Sequence, residues 1–189
     1  MKVKASEYLR KIKPTLVLLK NRLLESYPYV SILAVDSVGK TYRVSKTSTS
    51  VTMDAMLCGR GVVAKVYDGS SYAEYSFNEI GEDRLDEIER KIKEALLPLS
   101  DELPEGIKKS CYAMLSEEEE VFSNSTDYET DPEEYGDKAI LKDMTEASLT
   151  GRAYSDKIID CQTYASFQKY SKLFLSKNRD MEQNILWMT

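Results

Sequence analysis

Three cysteines, Cys58, Cys111 and Cys161, are the strongest potential nucleophiles of the 189-residue chain. A cysteine or serine that attacks a substrate is usually activated by a neighbouring base, most often histidine. The chain contains no histidine. A serine–lysine pair that uses Lys65 or Lys169 stays open as an alternative, although a lysine on a sheet usually keeps its amino group in solvent and protonated. The residue types therefore predict no catalytic residue.

The lack of histidine also bears on metal binding. A zinc peptidase holds its ion with neutral imidazoles and uses a carboxylate to accept a proton from the bound water. Acidic residues are dense over positions 117–134, but they lack the alternating oxygen ligands and the central glycine of a calcium loop. We predict a long exposed acidic loop at about 117–134 and no metal ligands in this chain.

Residues 34–41, Ala-Val-Asp-Ser-Val-Gly-Lys-Thr, fit a relaxed phosphate-loop pattern. A true phosphate loop opens a helix, because the N-terminal amides of that helix bind the phosphates. Here Tyr42, Val44 and a run rich in threonine and serine follow, and they predict another strand. The sequence therefore argues against nucleotide binding, and we interpret Lys40 as a residue of a hairpin turn.

Alternating apolar and polar residues predict a meander of antiparallel strands. The three clearest runs are 30–34, 42–46 and 62–66. Gly39 and the pair Asp68-Gly69 predict the turns. Because Gly69 accepts positive φ without a Cβ clash, residues 61–67 should fold back onto residues 71–77 as a tight hairpin.

Apolar residues at three- and four-residue steps predict two helices that pack on this sheet. The first stripe consists of Leu9, Ile12, Leu16, Leu19 and Leu23. Pro14 is expected to interrupt or kink the first helix, and the second helix covers about 82–97. A third helix should follow Asp131-Pro132, and Lys157–Asp160 should open a strand that two more strands follow. The expected fold is α/β (α+β), a curved, mainly antiparallel sheet covered by helices, with residues 1–189 in one domain.

Charge and cysteine content limit the partners and the compartment. A net charge of −6 and a pI near 5.0 argue against a general nucleic-acid-binding protein, which needs clustered Lys and Arg on one face. Three widely spaced cysteines without a secretory segment predict reduced thiols and a cytoplasmic protein. The apolar run at residues 16–19 is too short for a membrane span. We therefore predict a soluble protein that binds neither nucleic acid nor membranes.

Two regions share a pattern with a known family. Residues 60–69, Arg-Gly-Val-Val-Ala-Lys-Val-Tyr-Asp-Gly, lead into residues 75–80 and the second helix, and residues 176–183 form a late "serine, turn, glutamine" segment. In this order the elements resemble the N-terminal domain of TldD/PmbA proteins, a family with metallopeptidase members once called modulators of DNA gyrase. The matching positions are Gly61, Gly69, Phe77, Ser176, Asn178 and Gln183. Asn178 stands where the family prefers glycine, a mild departure because asparagine tolerates left-handed backbone better than most residues.

The resemblance implies a non-catalytic N-terminal half. The family's His-Glu-x-x-x-His helix belongs to its C-terminal half, so we expect zinc or a similar metal only there and no cofactor in this chain. The apolar run at residues 185–189 leads us to expect a longer protein in which such a half follows. The implied role is to bind extended peptide beside a sheet edge and to line the chamber of a homodimer or heterodimer.

A second hypothesis is a free-standing binding module without enzymatic activity that pairs with a full-length peptidase. Tyr67, Tyr72 and Tyr75 are candidate interface residues under either hypothesis, because amphipathic aromatic side chains are enriched at interfaces. Tyrosine is also common on half-buried strands, so a purely structural role for these three residues stays open.

Overall fold

A computed structural model describes residues 1–53, 57–95 and 112–189 of the chain. In these ranges the elements are α1 (Glu7–Leu24), β1 (Tyr29–Val44), β2 (Thr49–Thr52), β3 (Gly59–Tyr67), β4 (Tyr72–Phe77), α2 (Leu85–Ala95), β5 (Glu120–Ser125), α3 (Pro132–Tyr135), α4 (Asp137–Ala153), β6 (Thr163–Ser176) and β7 (Arg179–Met188). One turn of 3-10 helix, Glu82–Arg84, leads into α2.

The seven described strands form one sheet: six follow the order β4, β3, β1, β6, β7, β5, and β2 pairs with β1 outside this order. β1 is long enough to pair with β6 along one side and with both β3 and β2 along the other. Every pair is antiparallel except β5 and β7, which run parallel. The predicted fold class, a mixed α/β fold with a mainly antiparallel sheet covered by helices, is confirmed.

Helix α1 packs on the sheet through its leucine-rich stripe. Ser6 caps the helix, since its side-chain oxygen accepts a hydrogen bond from the Leu9 N–H at 3.2 Å. All five predicted stripe residues are buried. Pro14, expected to interrupt or kink the helix, lies inside one continuous helix. Proline removes one backbone hydrogen bond, and buried leucines on both sides of it keep the helix together.

Helix α2 completes the larger of the two apolar clusters in the described chain. Its inward residues are Leu85, Ile88 and Ile92. On its surface, Glu87 pairs with Lys91 and Glu89 pairs with Lys93, one turn apart and both at 2.6 Å. The cluster joins α1 and α2 to β1, β3 and β6. The helix predicted over 82–97 is confirmed as far as Ala95, and its last two residues lie outside the described residues.

A smaller apolar cluster lies at the other end of β1, against α4. Its buried members are Val3, Tyr42, Val44, Tyr128, Met144, Phe167 and Leu186. The Tyr42 hydroxyl donates to Asp137 Oδ1 at 2.8 Å, and the Lys40 ammonium lies 2.9 Å from the same atom. Burial and the hydrogen bond with Asp137 raise the pKa of Tyr42, so its hydroxyl stays a donor. Because Asp137 is the first residue of α4, these contacts fix the start of that helix on β1.

Gly39 lies inside β1 and not in a turn. The predicted turn is wrong, because β1 continues from Tyr29 to Val44 without a break. A Cβ atom at Gly39 would lie 2.5 Å from the carbonyl oxygen of Phe167 in β6. Glycine is therefore required by the close approach of two strands. Residues 34–41 consequently lie in a strand, and they do not open a helix as a phosphate loop must.

Two other predicted elements differ in the structure. The acidic segment 117–134 is mostly exposed, but it is not a loop throughout, since it contains β5 and the short helix α3. The strand predicted to open at Lys157–Asp160 is wrong, because β6 begins only at Thr163. The Asp160 carboxylate instead accepts a hydrogen bond from the Lys46 N–H at 2.8 Å, so this connection stabilises the turn after β1.

Candidate peptide-binding edge and groove

The family-motif residues of the β3–β4 hairpin shape its backbone and its packing. Gly69 has a φ of +102°, which residues with a Cβ rarely adopt, and it lies in the predicted turn. A Cβ at Gly61 would lie 3.1 Å from the Asn78 side-chain oxygen. Phe77 ends β4 and stacks on Tyr75, with 6.0 Å between the ring centroids. These contacts fix the backbone geometry and the packing of the hairpin.

The second group of motif residues surrounds the turn between β6 and β7. The Ser176 hydroxyl donates to the Glu117 carboxylate at 2.6 Å. The Asn178 side-chain amide donates to the Glu117 carbonyl oxygen at 3.2 Å, and the φ of Asn178 is negative. The turn therefore does not use the left-handed backbone that favours glycine. Gln183 lies in β7, between β6 and β5.

The three candidate interface tyrosines differ in exposure. Tyr67 is only 5% exposed, and its hydroxyl donates to the Tyr112 carbonyl oxygen. Tyr72 is half-buried, and its hydroxyl is hydrogen-bonded to the backbone of residues 113–115. Tyr75 is half-buried against the larger apolar cluster. Tyr67 has little surface to offer a partner, so the interface prediction now falls on Tyr72 and Tyr75 and stays a prediction.

Residues 112–117 join the two groups of motif residues. Gly69 of the first group and Ser176 and Asn178 of the second lie at one end of the sheet, where β1 begins with Tyr29 opposite Tyr67 and also pairs with the end of β6. The joining segment contacts the hairpin through Tyr112 and the β6–β7 turn through Glu117. Residues that the sequence places far apart thus form one end of the sheet, and the segment that joins them leads straight into β5.

Strand β5 is the last strand of the sheet on the side of β7. The N–H groups of Glu120 and Thr126 donate to backbone carbonyls of β7 and the turn before it, both at 2.9 Å. Because N–H groups along a strand point alternately to its two sides, those of Val121, Ser123 and Ser125 point away from β7. No strand of the described chain pairs with this outer side of β5. The Val121 side chain is 84% exposed.

A groove of about 860 Å³ lies where β5 leaves β7. Beyond Asn184, β7 continues to Met188 without β5 beside it. Helices α3 and α4 contribute to the lining. The apolar lining includes Pro132, Tyr135, Ile140, Ala165, Phe167 and Met188. The exposed residues Asp127 and Glu129 also border the groove, so it begins two residues after the end of β5.

Lys169 of β6 forms ion pairs with α3 and the residue before it, beside this groove. Its ammonium lies 2.8 Å from Asp131 Oδ2 and 2.6 Å from Glu133 Oε2. Burial alone would lower the pKa of Lys169, but the hydrogen bonds that its ammonium donates to both carboxylates outweigh burial and raise the pKa. Burial alone would raise the pKa of Asp131, but hydrogen bonds from Lys169 and the Glu133 N–H outweigh burial and lower it. Both groups stay charged at neutral pH, which holds α3 in place.

The lysines of the serine–lysine alternative are not bases. A hydrogen bond with Glu74 raises the pKa of Lys65, and Lys169 is held protonated by its carboxylate partners. Cys58 is hydrogen-bonded to the backbone of β1, and Cys111 lies outside the described residues. Within residues 1–53, 57–95 and 112–189, no three His, Cys, Asp or Glu residues are grouped so that they could hold a metal ion. These residues do not fit the zinc site that the resemblance implies for a C-terminal half.

β5 and the groove are not among the features that the sequence predicts. The local signal for β5 is small: Val121 and Phe122 are two strand-forming residues inside an acidic run. β5 pairs with β7 across about sixty positions of the chain; Glu120, for example, lies opposite Arg179. Such a long-range pairing produces no periodic pattern in the sequence. The groove lining comes from several separate segments, so it exists only once the chain has folded.

The described residues form an open, mainly antiparallel sheet with helices α1 and α2 packed on it and with a parallel edge strand. No family model and no curated protein matches the chain. Among solved structures, TldE from Thermococcus kodakarensis matches with a TM-score of 0.63 and 13% identity, over 92% of this chain and 37% of that one. A proposed modulator of DNA gyrase from Thermotoga maritima matches with a TM-score of 0.60 and 14% identity, over 92% and 38%. Another from Bacteroides thetaiotaomicron matches with a TM-score of 0.58 and 13% identity, over 97% and 40%.

These matches show a shared fold, and they confirm the predicted TldD/PmbA-like architecture. The chain spans about two fifths of the length of each of the three proteins. None of the helices in the described ranges has the length and apolar character needed to cross a lipid bilayer.

Proposed function

We propose that this chain is the non-catalytic, peptide-binding part of a TldD/PmbA-like metallopeptidase. It binds extended peptide at the outer edge of β5 and lines a chamber between two subunits. A metal-binding C-terminal half performs the hydrolysis, and the partner subunit is a second copy or another member of the family. Support comes from the fold shared with TldE and two proposed modulators of DNA gyrase, each more than twice as long as this chain.

The observation that carries the proposal is the outer edge of β5, which no described strand covers. Val121, Ser123 and Ser125 point their N–H groups outwards, the arrangement that an added strand uses. Strand addition bonds main chain to main chain, so it accepts peptides of many sequences. The exposed side chains of Val121 and Phe122 would contact alternate side chains of the added strand. Binding of this kind requires no catalytic group on the chain.

Strand addition is tested with a labelled, neutral ten-residue peptide of alternating valine and threonine. A matched peptide carries N-methyl groups on every second residue, which removes the main-chain donors on one side; a third carries them on the other side. One methylated peptide should bind at least tenfold more weakly than the unmodified one, because each lost main-chain hydrogen bond costs about 1 kcal/mol. Fluorescence anisotropy measures the three affinities. Equal affinity of all three peptides would contradict strand addition.

A free-standing binding module is the second candidate function. It is favoured by Trp187 and Met188 at the end of β7, which are exposed apolar side chains suited to another protein surface. The reading frame beyond the codon for Thr189 separates the two candidates. A continuation that encodes His-Glu-x-x-x-His supports the peptidase, whereas an immediate stop codon supports the module.

A further inference from the structure

The side chains of β5 differ between the two faces of the sheet, and this difference favours one pattern of peptide sequence. We infer that an extended peptide at the outer edge of β5 binds with an apolar side chain beside Phe122, on the face of the sheet opposite the helices. The inference rests on the proposed peptide binding at β5. It adds the class of peptide that the edge selects, a strand-forming segment with an aliphatic or aromatic residue at its centre.

Helices α1, α2 and α4 pack on the same face of the sheet. The buried residues that β1 contributes to the two apolar clusters are all at even positions: Val30, Ile32, Ala34, Tyr42 and Val44. Side chains alternate between the two faces of a strand, so the odd positions of β1 face away from these helices. Leu33 is 37% exposed, although β1 is paired on both sides at this position. The face opposite α1, α2 and α4 is therefore open to solvent at Leu33.

A row of apolar side chains crosses this open face and ends at β5. Leu33 of β1 lies opposite Val63 of β3 on one side and opposite Phe174 of β6 on the other. Phe174 lies opposite Met181 of β7, and Met181 lies opposite Phe122 of β5. Residues opposite each other in neighbouring strands share a face, so the five side chains form one row. Val63, Phe174 and Met181 are half-buried, whereas Phe122, at the end of the row, is 39% exposed.

A strand added to β5 would supply the next side chain of this row. Paired strands lie about 4.8 Å apart, so a peptide residue opposite Phe122 would contact its ring. An apolar peptide side chain there would remove apolar surface of Phe122 from water. Glu120 and Asn124 precede and follow Phe122 on the same face of β5, and both are polar. The edge therefore favours an apolar residue at one central position of the peptide.

The helix-bearing face of β5 has polar surroundings. Val121 is 84% exposed and lies opposite Asp180 of β7, whose carboxylate is 2.9 Å from the Lys13 ammonium. Ser123 lies opposite Glu182, whose carboxylate is 2.7 Å from the same ammonium. A peptide side chain on this face would lie next to charged groups instead of an apolar row. The apolar residue of the peptide should therefore select the open face and fix which residues of the peptide point to each side.

Two labelled ten-residue peptides test the inference on the complete 189-residue chain. Both consist of threonine apart from one central position, which is Phe in the first peptide and Ser in the second. Fluorescence anisotropy measures the two affinities. The Phe peptide should bind about fivefold more tightly, because an aromatic cross-strand contact adds to the main-chain hydrogen bonds that both peptides form.

Substitutions on β5 locate the preference. Phe122→Ser removes the end of the row and keeps the backbone donors, so the affinity ratio of the two peptides should fall to about twofold or less. Val121→Ser is the matched control, since its side chain lies on the other face, and it should leave the ratio unchanged. Phe122→Leu keeps an apolar end of the row and should keep most of the preference. Circular dichroism checks that the three variants fold.

The outcomes separate the inference from the proposed function. If the wild-type chain binds both peptides equally, the inference is wrong and strand addition at β5 stands. If neither peptide binds, both fail. A ratio that falls with Val121→Ser and not with Phe122→Ser would put the apolar side chain on the helix-bearing face and overturn the inference. If Phe122→Ser leaves the ratio unchanged but alters the oligomeric state seen by sedimentation, the row belongs to a contact with a second copy, and the inference is overturned.

Discussion

The α1–α2 side of the molecule and the β5 side are built from opposite kinds of sequence. The first packs two amphipathic helices on β1, β3 and β6. Among the residues that the structure describes, it buries sixteen clustered apolar residues, whereas the cluster on the second side has seven. The second side instead has an acidic segment, an open strand edge and a groove. The contrast predicts that stability resides mainly on the first side, and the proposed function places peptide recognition on the second.

The largest expected effect tests where the stability resides. Leu19 is fully buried in the larger cluster, and Leu19→Ala should lower the free energy of unfolding by about 3 kcal/mol through lost burial and a cavity. Met144 belongs to the smaller cluster and is 8% exposed, so its truncation removes less buried surface. Met144→Ala should cost about 2 kcal/mol or less. Urea denaturation measures both values, and equal losses would remove the asymmetry.

Gly39 probes the long strand that connects the two sides. Gly39→Ala should cost about 2 kcal/mol, because its Cβ would overlap the Phe167 carbonyl oxygen, a backbone atom that cannot move alone. Gly59→Ala is the matched control, since a Cβ there would lie 3.8 Å from the Ser37 hydroxyl oxygen. The control should be close to neutral in the same denaturation experiment. A neutral Gly39→Ala would mean that β1 and β6 do not approach each other as described.

Asp131 should make the stability of the β5 side depend on pH. Its pKa is lowered in the folded chain, so its contribution to stability is fully present above the ordinary carboxyl value and is lost as pH falls through the lowered pKa. Asp131→Asn keeps a capping oxygen but removes the charge paired with Lys169, and it should cost about 1 kcal/mol at neutral pH. The variant should also lose less stability than the wild type between pH 6 and pH 2, as followed by urea midpoints. Parallel pH curves would contradict this role.

The smallest expected effect on stability comes from the edge itself. Val121→Pro removes an N–H that faces away from β7, so the free energy of unfolding should change by about 0.5 kcal/mol or less. Peptide affinity should nevertheless fall several-fold, because one outward donor is lost. Val121→Thr keeps that donor and the branched shape, and it serves as the matched control. Normal peptide affinity of the proline variant would place the peptide elsewhere.

The sequence predicts the α1–α2 side well for a physical reason. Leucine spacing in α1 and the Asp68-Gly69 turn are local signals, and the structure follows them. Gly39 shows the limit, since a glycine that permits close approach of β6 looks the same in sequence as a glycine in a turn. The sequence does not predict β5 for a related reason. Its pairing with β7 depends on residues far along the chain, and its two apolar residues lie within an acidic run that is typical of a loop.

The most direct test of the central claim is backbone amide hydrogen exchange, measured by NMR with and without the unmodified valine–threonine peptide. Bound peptide is expected to slow exchange at Val121, Ser123 and Ser125. Phe122 and Asn124 should change little, since their amides already face β7. Unchanged exchange at the three outward amides, or protection confined to Tyr72–Phe77 at the opposite edge of the sheet, would contradict peptide binding at β5.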